Sequence, residues 1–115
     1  MRDLAAKRER YLRDPLPIRL GGLAANLARV ESFSTHDALR DAVGRLMLES
    51  SHFIEWTAMD ADQNVRNDLA ELQRQLTEWQ HTLADIWPDP ARRASVAHEA
   101  KSWSQRVLAA SGLLE

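Results

Sequence analysis

Leu20-Gly21-Gly22-Leu23-Ala24-Ala25-Asn26-Leu27-Ala28 runs without a charge between Arg19 and Arg29. Leu16, Leu20, Leu23, Leu27 and Val30 recur in alternating steps of four and three, the spacing of a helix seam packed against neighbours. The opposite side of the same helix carries Ile18, Gly21, Gly22 and Ala25 at i, i+3, i+4 and i+7, with Ala28 beyond, where a surface helix would carry charge. A helix with no solvated side needs neighbours on both sides. Each helical glycine costs about 1 kcal/mol against alanine, and close backbone approach is the usual compensation. Three covers are available for this second stripe. One is a second copy of the chain in a symmetric dimer, with Ile18, Gly21, Gly22 and Ala25 as the interface, or a larger homo-oligomer. Another is residues 1–14, where Leu4, Tyr11 and Leu12 fall at i, i+7 and i+8 and allow a short amphipathic helix. An unidentified protein partner is the third.

The boundaries are read outward from this stretch. Asp14-Pro15-Leu16-Pro17 reads as a helix start, with Asp14 as N-cap and prolines where no internal hydrogen bond is lost. The first bundle helix is expected over 15–32. Phe33-Ser34-Thr35 breaks it, and Ser34 with Asp37 has the form of a capping box for the second helix. That helix, over 36–58, places Leu39, Val43, Leu46, Ser50, Phe53 and Thr57 on its seam, widened by Met47 and Ile54. Met59-Asp60-Ala61-Asp62 makes another break, and either aspartate could cap the third helix. The third helix, 62–87, is the most regular: Val65, Leu69, Leu72, Leu76, Trp79, Leu83 and Ile86 sustain three heptads, with the charged residues off the seam. It stops at Trp87-Pro88, and Asp89-Pro90 starts a fourth over 90–110. Val96, Ala100, Trp103, Val107 and Ala110 face inward there, Gly112 is the C′ residue, and Leu113 and Leu114 form a short apolar end. The prediction is an all-α fold, an up-down-up-down antiparallel four-helix bundle over 15–112, preceded by a short N-terminal segment over 1–14, helical or extended.

Composition bounds the function. A chain of 115 residues, 44% hydrophobic, suits one domain with one core. Without cysteine there are no disulfides or thiolate zinc sites, which fits a reducing compartment, and the cytoplasm is the expected location. No run approaches the ~20 apolar residues of a membrane span, and the charged N-terminus has no signal-peptide core. Lys+Arg 15 against Asp+Glu 17 gives no overall field for nucleic acid. The cluster Lys7, Arg8, Arg10 and Arg13 is diluted by Asp3, Glu9 and Asp14 and reads as a solvated terminal face.

Two Glu-x-x-His pairs, Glu49–His52 and Glu78–His81, with Glu31 and Glu99, have the residue inventory of a carboxylate-bridged di-iron bundle. Their geometry opposes it: His81 points away from its helix's seam, and the two pairs lie towards opposite ends of the bundle. No metal or cofactor is expected. Arg93-Ala-Ser-Val-Ala-His98, at the start of the last helix, resembles the Arg and His pair of HEPN-type ribonucleases. The resemblance implies an all-α fold and RNA phosphodiester cleavage by Arg93 and His98 across a dimer. It rests on these two residues and their position. The same spacing recurs at Arg29–His36, Arg45–His52 and Arg74–His81, and Ala94 stands where that family usually has a polar residue. No nucleophile elbow, phosphate loop or H-E-x-x-H is present.

Among the four tryptophans, Trp79 and Trp103 fall on seams; with Ser50 they are the residues that would line a ligand pocket, if they are not simply core. Trp56 and Trp87 fall near helix ends, as end closures or as exposed anchors for a partner. Ser50 is expected to bond back to a carbonyl one turn earlier. The functional expectation is a non-catalytic interaction or homo-oligomeric assembly module, with HEPN-like RNA processing and small-ligand binding as the alternatives.

Overall fold

The computed structural model describes residues 2–113, so Met1 and the expected apolar end at Leu114 lie outside the described residues. The fold is all-helical, with five α-helices packed compactly: α1 (Arg2–Arg13), α2 (Leu16–Phe33), α3 (Arg40–Thr57), α4 (Gln63–Ile86) and α5 (Pro90–Ser111). Short 3-10 turns at Asp37–Leu39 and Ala58–Asp60 flank α3. Among the described residues there is no strand, and no helix is long and apolar enough to cross a membrane.

The N-terminal segment is a helix of three turns. Its Tyr11 is buried, Leu12 is half-buried and Leu4 is exposed. Asp14 does not cap α2. The cap position is Pro15, with φ −64° and ψ 158° and no side-chain hydrogen bond, while the Asp14 carbonyl accepts from Arg19 Nε at 3.0 Å. Ser34 and Asp37 do not form a capping box either. Ser34 sits at the C-terminal end of α2 and its hydroxyl donates to the Val30 carbonyl at 2.6 Å, so α3 begins four residues later than its expected start, after the 3-10 turn. The two starts at Asp62 and Asp89 are side-chain capped. Asp62 accepts from the Val65 amide at 2.9 Å, and Asp89 from the Ala91 amide at 3.0 Å. Each such cap stabilises by about 1 kcal/mol. Gly112 closes α5 in the left-handed region, φ 77°, which suits a residue without Cβ.

The core is built from the expected seams. Leu23, Leu27, Met47, Leu69, Leu72 and Leu76 are fully buried, each contributing roughly 1.5–3 kcal/mol by leaving water. On α3 the innermost line runs through Val43, Met47, Ser50 and Ile54, while Leu46 and Phe53 are half-buried towards its flank. On α5 Ala110 is exposed rather than inward, and Ala97 is buried in addition. α2 packs most extensively on α5, then on α3; α4 packs on α3 and more lightly on α5, and α1 lies on α3. Small residues explain the first preference: Ala24 on α2 faces Ser104 on α5, whose hydroxyl reaches the Ala24 carbonyl at 2.8 Å.

Candidate functional site

Arg19 is one of the two charges bounding the uncharged stretch, and its side chain is buried at 7% exposure. Its guanidinium donates to the Trp56 carbonyl at 3.4 Å and to Asp60 Oδ2 at 2.9 Å, and Nε to the Asp14 carbonyl. It ties the α1–α2 connection to the end of α3. Because Arg19 turns inward, the outer side of α2 carries no charge from Ile18 to Ala28. Ile18 is 46% exposed, Ala25 and Ala28 are exposed, and Gly21 and Gly22 are half-buried. Among the described residues, Tyr11 and Leu113 reach the strip at its two glycines. A Cβ on Gly22 would lie 3.9 Å from Tyr11 Cε1, and one on Gly21 would lie 2.8 Å from Leu113 Cδ1, the tip of a side chain 45% exposed.

The second cluster sits where α1 crosses α2 and α3. The Tyr11 ring stacks on Phe53, and Trp56 lies tilted beside both. The phenol donates to the Arg19 carbonyl at 2.8 Å and accepts from Thr57 Oγ1 at 3.1 Å. Burial pushes its pKa up to about 12, against a smaller lowering by the Thr57 bond. One turn earlier on the same face, Lys7 donates to Glu49 Oε2. Asn26, 2% exposed, donates to Glu49 Oε1 at 3.0 Å and accepts from Arg29 at 3.1 Å. Burial of Glu49 opposes its ionisation, but the bonds from Lys7 and Asn26 outweigh it and hold the carboxyl below its ordinary value. Beyond Lys7 the N-terminal half of α1 leaves an open groove of about 660 Å³, walled by Leu4, Phe33, Leu46 and Leu48 and rimmed by Arg45 and His52.

The other candidates are scattered. Trp56 belongs to the aromatic cluster, its ring stacked on His52 at 5.5 Å. Trp87, offered as a partner anchor, is turned inward at 6% exposure, and its indole N–H donates to the Asp37 carbonyl at 2.6 Å, joining the end of α4 to the turn before α3. Trp79 and Trp103 are buried; the gap beside Trp103, towards Leu20 and Leu69, is about 10 Å³, room for one water molecule at most and none for a larger ligand. Ser50 is fully buried and its hydroxyl does not bond back to a carbonyl; it has no partner among the described residues. Arg93 lies over the Trp87 ring at 5.7 Å and His98 is exposed, and positions five apart on a helix diverge by about 140°. Glu49 is engaged by Lys7 and Asn26, and Glu78 and His81 are exposed. No three of Asp, Glu and His come together as a metal site would need among the described residues.

Sequence reading missed the Arg19 clamp and the Lys7–Glu49–Asn26 chain. The signal was present only in part: Asn26 is the one amide in an apolar stretch, and Lys7 and Tyr11 are spaced i, i+4, so they share a helix face.

Fold and site together define a small five-helix protein with an uncharged strip along α2 and a groove beside α1. Compared with known proteins, the chain matches no family model, no curated protein and no solved structure.

Proposed function

We propose that this chain is a non-catalytic assembly module, an up-down-up-down bundle of α2–α5 with α1 laid across it, that self-associates in the cytoplasm through the outer side of α2. The observation that carries this reading is the uncharged strip of Ile18, Gly21, Gly22 and Ala25, within whose span the one cation, Arg19, is withdrawn into a buried clamp. Small residues allow two copies of α2 to cross closely, and a two-fold axis through Ala25 would set each Ile18 against the other copy's strip. Leu113, exposed at the strip's edge, would add to the covered area.

The test is the absolute solution mass of the wild type and of Ala25→Glu. Ala25 is exposed, so a carboxylate there is solvated in the monomer and buried only in the dimer. A dimeric wild type and a monomeric, equally helical variant are expected. A monomeric wild type, or a variant that stays dimeric, overturns the reading.

A further inference from the structure

The face of α2 and α3 beneath α1 is built as a receptor, and α1 occupies it through two side chains one turn apart. One receptor group has partners besides α1: Glu49 accepts from Asn26, which itself accepts from Arg29, and Thr57 is fully buried with α1 in place. On α1 the docking groups are the Lys7 ammonium, on Glu49, and the Tyr11 ring and hydroxyl, on Phe53, the Arg19 carbonyl and Thr57. The remaining apolar residue on that face, Leu4, stays 38% exposed above the groove that α1 leaves open. A helix of 12 residues is not stable alone in water, so release of these two contacts returns the segment to coil and uncovers an acidic-aromatic groove.

We infer that α1 is an autoinhibitory strap, and that the groove formed by Glu49, Asn26, Phe53, Trp56 and Thr57 binds an amphipathic helix of a partner protein that presents a lysine and, four residues later, a tyrosine. The lysine places its ammonium on Glu49 and the tyrosine stacks on Phe53, as Lys7 and Tyr11 do in cis. This surface adjoins the exposed strip of α2 at Gly22, beside Tyr11, but its receptor groups are other residues, so solution mass and peptide binding test the two readings separately.

The probe is a fluorescent peptide of residues 2–13, added to the full chain as wild type and as Tyr11→Ala. The variant's strap is weakened while its groove is intact. The peptide is expected to bind the wild type about tenfold more weakly than the variant, because apparent affinity scales with the open fraction. Glu49→Gln in the variant, or glutamine in place of the peptide's Lys7, should remove most of the binding. Equal binding to wild type and variant, or no binding to a variant whose helicity is retained, overturns the inference. Hydrogen exchange on the wild type gives a reading that no variant's folding can obscure. Amides of α1 should exchange at least about tenfold faster than those at 23–30, as a separately opening unit does; equal rates overturn the inference as well.

Discussion

Tyr11 lies flat on Phe53, ring centroids 4.0 Å apart and planes 10° apart, with its hydroxyl shared between the Arg19 carbonyl and Thr57. The stack and the hydroxyl can be separated by substitution. Tyr11→Phe keeps the stack and leaves Thr57 Oγ1, in a fully buried residue, without its acceptor, at a cost of about 1–3 kcal/mol. Tyr11→Ala should cost more. Urea unfolding of the two variants checks the order; equal costs would mean that the ring contributes nothing beyond its hydroxyl.

Tyr11 is the single tyrosine in the chain, so tyrosinate absorbance reports it alone. Its folded pKa, about 12, lies above the ordinary 10.0. The neutral phenol therefore contributes stability that is complete below pH 10 and is lost as pH rises from there through about 12. Glu49 behaves in the opposite sense. Held below its ordinary value, it contributes stability above the carboxylate range and loses it as pH falls through the lowered pKa. Tyrosinate should be absent until the chain starts to unfold in alkali, and Glu49→Gln should differ in stability from the wild type near neutral pH but converge with it in acid.

Gly22 has room for a methyl group: the added Cβ meets only an ordinary contact, 3.9 Å from Tyr11 Cε1. Gly22→Ala should raise stability by up to about 1 kcal/mol through helix propensity and a less flexible unfolded chain. If the strip also pairs two copies closely, the same substitution should weaken the dimer while strengthening the fold. Thermal unfolding and solution mass, measured on one sample, separate the two effects.

Ser50 buries a hydroxyl that has no partner among the described residues. An unmade hydrogen bond leaves its desolvation cost in the folded state, so Ser50→Ala should stabilise the protein by about 1 kcal/mol. A destabilised Ser50→Ala, seen as a lower urea midpoint, would show that the hydroxyl is bonded in solution.

Trp87 joins the end of α4 to the turn before α3 through its indole N–H and the Asp37 carbonyl. Trp87→Phe keeps most of the ring volume and removes the donor, so a loss of about 1–2 kcal/mol is expected. Faster amide exchange confined to residues 35–39 would locate the effect.

Helix existence and the inward residues of α2 and α4 were legible because both are matters of local period. A leucine seam stepping by three and four names its own face wherever the neighbours lie, and Asp62 and Asp89 cap from within their own turns. Asp14 and Ser34 show the limit. Their sequence contexts suit capping, but the Asp14 carbonyl is taken by Arg19 and the Ser34 hydroxyl by the preceding turn of α2.

The sequence by itself determined an all-helical chain with an uncharged stripe on each side of α2. Only the tertiary structure decided that Arg19 turns inward to Asp60, that Lys7 reaches Glu49 across 42 positions, and that Trp87 bonds to the Asp37 carbonyl instead of facing a partner. The physical reason is the range of the forces involved. Periodicity and caps act within a turn or two, whereas a charged or aromatic side chain takes whichever partner the packing of distant helices brings opposite it.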